Sequence, residues 1–548
     1  MANPLEDPHY YLHNFRQVLH WLGQRYADLL DPDEQHFIQQ FDRLPQASQA
    51  LLVRMVMRKG MHFRGGKLNY QEIGCPHAAA APLLALGWVD AHRLLTFEEL
   101  FALLQKSELL CAFKPWIEQP KGKKSDWLVG LAAQLGDSRS FANWCPDLAD
   151  TLYSLTVMEL CDRLRLMFFG NLHQDWSEFV LADLGIYTYE KVEFCAASRS
   201  LRSREDVHGF LFLHQCQQAF DTGEALEDVL ARIATLNTDN PWLEKRRAKL
   251  LFQVGQYCER IAELALAQRI YRTCAYPGAR SRLIRVLERQ EDYAQAMALV
   301  HTAQQAPESA AEQQHLQRVM PRLRRKLGEP AVPRAKPRPI TRLDLALALP
   351  EPLMSVEYCV QAHLSEPEAP VHYVENGLIN SLFGLLCWDA IFAPLPGAFF
   401  HPFQRGPVDL HSEDFHHRRA PLFAACFEQL QDERYKATIR RRYREKWGIQ
   451  SPFVFWNLLN EELLEQALAC LPAAHLGYWF ERLLLDIRAN RAGLPDLIQF
   501  WPAQKTYRMI EVKGPGDRLQ DNQLRWLEFC GEYQMPVTVC YVRWAQSL

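Results

Sequence analysis

No Cys-x-x-Cys pair occurs in the 548 residues, although fourteen cysteines are scattered through them. That spacing excludes zinc ribbons and offers no disulfide framework, so it reads as reduced, mostly buried thiols in a cytosolic setting. The opening "MANPLEDPHYYLHNF" lacks a basic stretch followed by an apolar run, so export is not expected. A clean bilayer-spanning run is missing too: "SLFGLLCWDAIFAPLPGAFF", at 381 to 400, is interrupted by Asp389, Pro394 and Pro396 and reads as a buried helix and loop. Charge of one sign is also lacking. With a formal net charge of -4, any attraction to polyanions has to come from local basic surface.

What is present is an ordinary globular composition, 48% hydrophobic and 23% charged, in a chain long enough for roughly three or four domains. From "PHYYLHNFRQVLHWL" to residue 95 apolar positions recur at three- and four-residue spacing, which predicts an all-helical beginning. Within it "VRMVMRKGMHFRGGKLNY" gathers Arg54, Arg58, Lys59, Arg64 and Lys67 near Phe63 and Tyr70. Cations beside aromatics in a glycine-containing loop can hold a phosphate backbone and a terminal base; the plain alternative is a solvated helix end. Residues 96–140 read as helix, lysine-rich connection and helix, with Lys121, Lys123 and Lys124 in the connection. Such a cluster fits either a small DNA-contacting module or a wet loop.

Residues 141–325 continue as helices with weak self-similarity. "RAKLLFQVGQYCERIAELALA" and "RSRLIRVLERQEDYAQAMALV" align Leu251 with Leu287 and Tyr257 with Tyr293, suggesting tetratricopeptide-like pairs or a generic bundle. A boundary follows at 326–345, where Pro330, Pro333, Pro337 and Pro339 alternate with basic residues and predict an extended linker. Residues 346–548 then form a separate unit.

In that unit the period changes. "PDLIQFW" and "RMIEVKG" are short apolar runs joined by a turn, followed by the helical "RLQDNQLRWLEFCGEY" and the strand-like "PVTVCYVRW". Asp496 begins the first strand, and Glu511 and Lys513, alternating across Val512, share one face of the second. Phosphodiester hydrolysis needs such a set. Two carboxylates bind Mg²⁺ or Mn²⁺ through hard oxygens, and a lysine beside them stabilises the charge that builds on phosphorus.

Through "GLPDL" and "EVKGPGDRLQDNQ" the chain resembles the virus-type replication-repair nuclease (VRR-Nuc) branch of the PD-(D/E)xK superfamily. Through "SVEYCVQAHL" and "VENGLINSLFGLLCWDAIF" it is similar, more narrowly, to the Fanconi anaemia-associated nuclease family. The resemblance implies a multidomain protein: a helical DNA-binding front, a SAP-like module at 96–140, helical repeats and an α/β nuclease domain. It implies a metal-dependent enzyme acting on 5′ flaps and branched DNA, digesting from a 5′ end, in interstrand-crosslink repair. Asp496 and Glu511 would be metal ligands with Glu375, borne on a helix, Lys513 the catalytic lysine, and Gln523 a hydrogen-bonding support behind the site. Glu357 and Val512 join the candidate metal positions. Pro367 and Pro370 interrupt any single helix from Glu357 to Glu375, so the two acids must approach from separate helices, if both approach at all. The ubiquitin-binding zinc finger of animal members has no matching cysteines here.

Glu481 is a further helix carboxylate, or half of a surface ion pair with Arg482. His411, His416 and His417 lack a recurring ligand spacing and read as a solvated loop. The stretch "RYKATIRRRYREKWG" places Arg440, Arg441 and Arg442 among aromatics, either as a DNA grip or as an exposed basic helix. The competing classes are a non-catalytic DNA scaffold and a sequence-specific nuclease, the latter without an identifiable base-reading element. The expected partners are DNA and, through the helical repeats, another protein, with no membrane, and the expected place is the cytoplasm, at the nucleoid in a bacterium or in the nucleus of a eukaryote.

Overall fold

The computed structural model describes residues 7–117, 121–132, 134–174, 176, 187–330, 340–352 and 354–545. It divides into two compact units, one running to Tyr187 with Leu201–Val207, the other comprising Thr188–Ser200 and His208–Leu548.

In the first unit Tyr10–Arg25, Pro32–Arg43 and Gln46–Val56 are helices burying Phe15, Phe37, Phe41 and Leu52. A reciprocal cap starts the second: Asp31 accepts the Glu34 N–H (2.8 Å) and Glu34 accepts the Asp31 N–H (3.0 Å). The beginning is not all-helical, contrary to its periodicity. His62–Arg64 pairs antiparallel with Leu152–Leu155, which pairs in turn with Val89–Asp90. A three-residue strand is too short to imprint a period of two, and its partner lies far along the chain. Phe97–Leu103, Lys106–Ala112 and Lys124–Ala132 build a small core of their own around Leu100, Leu109, Phe113 and Trp144.

The second unit contains five consecutive helices, α1 (Pro241–Arg260), α2 (Leu264–Thr273), α3 (Ala279–Arg289), α4 (Tyr293–Gln305) and α5 (Ala310–Lys326), each packed on the next. Their repeat has a different register from the one the alignment suggests. Tyr257 lies inside α1, whereas Tyr293 opens α4. The matching turns are instead those at Ala262 and Glu291, both left-handed (φ 65° and 62°), each followed by a fully buried alanine, Ala267 or Ala296. Helix α1 has 20 residues and α3 only 11, and that inequality shifts any ungapped alignment. Of the proline-rich stretch, residues 331–339 lie outside the described residues. Strand β1 (Thr341–Ala348) already belongs to the following sheet, so the α/β fold starts inside the segment read as linker.

The sheet has the order β1, β5 (Val537–Ala545), β4 (Thr506–Lys513), β3 (Leu497–Trp501), β2 (Val371–Tyr373). Strands β1 and β4 run parallel to β5, while β3 and β2 are antiparallel to their predecessors. Helix α6 (Val356–Leu364) covers one face, with Val360 on Val371, Leu497, Ile510 and Val512. On the other face Ile498, Phe500 and Met509 meet α7 (Leu378–Leu386), α8 (Arg434–Glu445) and α9 (Ala473–Leu485) in a core containing Phe383, Ile439 and Trp479. The apolar stretch after residue 381 is buried there, and no helix among the described residues is long and apolar enough to cross a membrane.

Candidate active site

Hairpin register brings the two acids of the sequence pattern together. Leu497 pairs with Ile510, so one step further Asp496 stands across from Glu511 at the end of β3 and β4. Asp496 is held twice: its carbonyl accepts the Val374 N–H (2.8 Å) and its Oδ2 the Val512 N–H (2.8 Å). Alternation along β4 puts Lys513 on the same face as Glu511, and its Nζ lies 2.7 Å from Glu511 Oε1. Glu511 is fully buried, and beyond that ion pair neither of its oxygens has a hydrogen-bond partner. A buried carboxylate short of donors calls for a further positive partner.

The electrostatics agree. Burial pushes the Asp496 carboxyl up to about 6, opposed by the Val512 N–H and Lys513 and reinforced by Glu375 and Glu357. Burial, then the charge of Asp496, pushes Glu511 up to about 8 against the pull of Lys513. The metal-free folded protein therefore keeps protons that the unfolded chain releases. This contribution is whole below the ordinary carboxylate range and is lost as pH rises toward 8, at up to about 1.4 kcal/mol per pH unit for each group. Urea unfolding in chelator is expected to show lower stability at pH 8 than at pH 5.5. The difference should shrink in Glu511→Gln, and a pH-independent midpoint would refute the assignment.

Glu375 and Glu357 reach Asp496 from two flanking elements. Glu357 sits in the first turn of α6. Glu375 is not on a helix, as the family resemblance implies, but in the turn between β2 and α7, because left-handed Asn376 (φ 52°) delays the helix to Leu378. That turn is tied to the strand carrying Asp496: Asn376 Oδ1 accepts the Leu494 N–H (3.0 Å), and Asn380 Nδ2 donates to the carbonyls of Asn376 (2.5 Å) and Arg491 (2.9 Å). The Tyr373 hydroxyl donates to Glu375. Sequence reasoning missed Tyr373, Asn376 and Asn380; the Asn-Gly dipeptide in "VENGL" was the available turn signal.

Two expected roles change. Gln523 caps its own helix α10 (Asp521–Glu532), its Oε1 accepting the Gln520 N–H (2.9 Å), instead of supporting the site. Val512 has its side chain in the core and its N–H on Asp496, leaving only its carbonyl as a ligand. Among the described residues no three His, Cys, Asp or Glu side chains form a finished metal cage. The donor set nevertheless fits a hard divalent cation, being all oxygen, acidic, and centred on the two donor-starved oxygens of Glu511. Asp496, Glu511 and Glu375 would hold it, with Glu357 beside them. Glu481 is exposed on α9, and Arg482 stacks over Trp526 and Phe529 (4.8 and 4.4 Å). His416 packs edge-on to Phe423.

Some of the basic residues are engaged by carboxylates or carbonyls, and others are exposed, among them Arg58, which donates to the Tyr70 hydroxyl (3.2 Å), and Arg441, 3.9 Å from Glu445. Arg64 is buried and bonded to Glu108 (2.6 Å) and Asp150 (2.8 Å), so it is a structural ion pair and not a DNA contact. Arg54 pairs with Glu72 (2.7 Å) and lies over Tyr11; Lys124 donates to the Leu104 carbonyl (2.8 Å). On α8, Arg440 is engaged by Glu465 (2.6 Å) and Arg442 by Asp389 and Glu445. Arg58, Lys59, Lys67, Lys121, Lys123 and Arg441 are exposed. Arg64→Ala is expected to destabilise the first unit by about 3–5 kcal/mol, since two carboxylates lose their cation. Lys67→Ala should leave stability intact and lower the salt slope of DNA binding by about one. Thermal midpoints and salt-titrated anisotropy test the pair.

Comparison with known proteins bears directly on this arrangement. Residues 9–90 match the family described as "FAN1, HTH domain", 94–144 the Fanconi anemia-associated nuclease SAP domain, and 430–544 the VRR-NUC domain. The Fanconi-associated nuclease 1 homolog of Pseudomonas aeruginosa is 62% identical, over 98% of this chain and 97% of its own length. Two crystal structures of paFAN1, bound to gapped DNA with a two-nucleotide and a one-nucleotide 5′ flap, are similar with TM-scores of 0.92 and 0.90 and identities of 61% and 62%, each covering 99% of this chain and 100% of that one. VRR-NUC nucleases are metal-dependent, and Asp496, Glu511 and Lys513 lie within the matched segment, whereas Glu357 and Glu375 precede it. Similar over almost its entire length to such a nuclease, and carrying the site's carboxylates and lysine at one sheet end, the chain belongs to the Fanconi-associated nuclease 1 family.

Proposed function

We propose that this protein is a Mg²⁺- or Mn²⁺-dependent nuclease that cuts near 5′ flaps and branch points and digests from a 5′ end, in interstrand-crosslink repair at the chromosome. The observation that carries the reading is the buried Glu511, short of donors, between Asp496 and Lys513. The metal, when bound, lowers the pKa of its water and polarises a phosphate oxygen. Asp496 and Glu511 would hold that charge from two paired strands, and a one-residue slip of either would turn its acid to the other face. Lys513, 2.7 Å from Glu511, would stand where negative charge grows on phosphorus. The exposed cations Arg58, Lys59, Lys67, Lys121, Lys123 and Arg441 would bind backbone phosphates, which positions a duplex without reading its sequence. The resemblance of the whole chain to structures holding 5′-flap DNA supports the choice of substrate.

End-labelled 5′-flap, 3′-flap, duplex and single-stranded DNA, incubated with Mg²⁺, Mn²⁺ or chelator, test the proposal. Metal-dependent incision preferring the 5′ flap is the expected result. Flap binding without incision in either metal would favour the scaffold reading.

A further inference from the structure

An aromatic surface lies beside the acids, and the chemistry described so far leaves it without a role. Tyr358 follows Glu357 in the first turn of α6 and is 48% exposed. Its ring rests on that of Tyr373, with centroids 5.5 Å apart and planes inclined by 31°. The Tyr373 hydroxyl donates to Glu375, which acts on Asp496. The two rings thus form a shelf leading from solvent to a carboxylate of the site. Single exposed aromatics are common on protein surfaces; the position of this one is what matters.

The surroundings are acidic. Glu357, Glu375, Asp496 and Glu511 converge there, and the lysine among them, Lys513, is taken by Glu511. A cation held by these acids would engage the scissile phosphate alone, and the phosphates flanking it gain little by charge from the remaining acidic surface, so the strand needs a contact there that is not ionic. A neutral ring face supplies one, because every base has a π-face and stacks on it irrespective of sequence. A nuclease selecting DNA by shape needs that tolerance.

We propose that Tyr358, backed by Tyr373, is a nucleobase subsite: it stacks on a base flanking the scissile phosphate of the strand being cut and so registers that phosphate over the acids. The subsite rests on the nuclease reading above. Its occupant is an unpaired or splayed base, since a base inside a duplex has no free face to offer. Tyr373 has two functions in this arrangement, supporting the stacked ring and holding the Glu375 carboxylate through its hydroxyl.

The test uses the full-length protein with Mn²⁺ in single-turnover cleavage of a 5′-flap substrate, beside a series in which one abasic site is moved nucleotide by nucleotide across the incision point. Tyr358→Ala is expected to slow cleavage of the intact substrate about 10- to 100-fold, in line with the loss of one stacked base. Tyr358→Phe, which keeps the ring, should restore most of the rate. At one abasic position the wild type should slow by a similar factor, and Tyr358→Ala should add nothing further there. The deficit should also be the same at low and high salt, because stacking is not ionic. Alanine is a good helix former and the side chain is half exposed, so the variant should fold, as a thermal midpoint would verify. A Tyr358→Ala deficit of equal size at every abasic position, or no deficit at all, overturns the subsite while leaving the nuclease standing. Failure of the wild type to cut the intact flap overturns the nuclease reading and the subsite with it.

Discussion

Glu511→Gln is expected to lower the cleavage rate by on the order of 10³-fold or more while DNA binding changes little. The substitution keeps the volume of a fully buried side chain and removes only the charge that a divalent cation requires. Lys513→Met should cost on the order of 10²–10³-fold, the usual effect of deleting one donor aimed at developing charge. Binding should survive because the proposed function assigns it to exposed basic side chains such as Lys59, Lys67 and Arg441. Single-turnover rates and anisotropy in chelator measure the two effects separately. A Glu511→Gln enzyme cutting within tenfold of wild type would remove Glu511 from the metal site.

Gly493→Ala should destabilise the catalytic unit by roughly 2–4 kcal/mol and reduce activity even where the protein still folds. Gly493 has φ +93°, a conformation that strains any other L-residue, and a Cβ there would come within 2.8 Å of the Asn522 backbone at the start of α10. Backbone cannot rotate away as a side-chain tip can. Leu494 or Asp496 would have to move instead, and both are pinned, Leu494 to Asn376 and Asp496 to Val374 and Val512. Gly516 provides the comparison: its φ is +88° but nothing lies within 4 Å of its Cβ position, so Gly516→Ala should cost only about 1–2 kcal/mol of backbone strain. Thermal midpoints of the two variants decide it; equal shifts would show that the approach to Asn522 is relieved at no cost.

Much of the site was legible because its chemistry is local. Asp496 at a strand start and Glu511 and Lys513 two residues apart on the next strand follow from alternation and a short turn, and the structure places them across one hairpin end. Glu375 does act on the Asp496 carboxyl, but it is attached differently from the expectation. A left-handed asparagine moved Glu375 from a helix to a turn, and a backbone conformation of that kind has no periodic trace. The basic clusters were the least legible. Arg64 and Lys67 look alike in "FRGGKL", yet one is buried on two carboxylates that arrive from residues 108 and 150, and the other is exposed.

The sequence by itself determined the helices of the front and middle, though not the short strands among them, the change to short alternating strands near the end, and the order and face of Asp496, Glu511 and Lys513. All of these depend on neighbours within a turn or a hairpin. Only the tertiary structure decided which cations remain exposed, that Leu152–Leu155 completes the first sheet, that Gln523 caps a helix, and that Tyr358 and Tyr373 lie against each other beside the acids. Each of those outcomes depends on pairing between segments that the chain keeps far apart, or on local caps and turns whose signal is too weak to outvote periodicity. Burial and partnership are properties of the assembled core, and periodicity along a chain does not encode them.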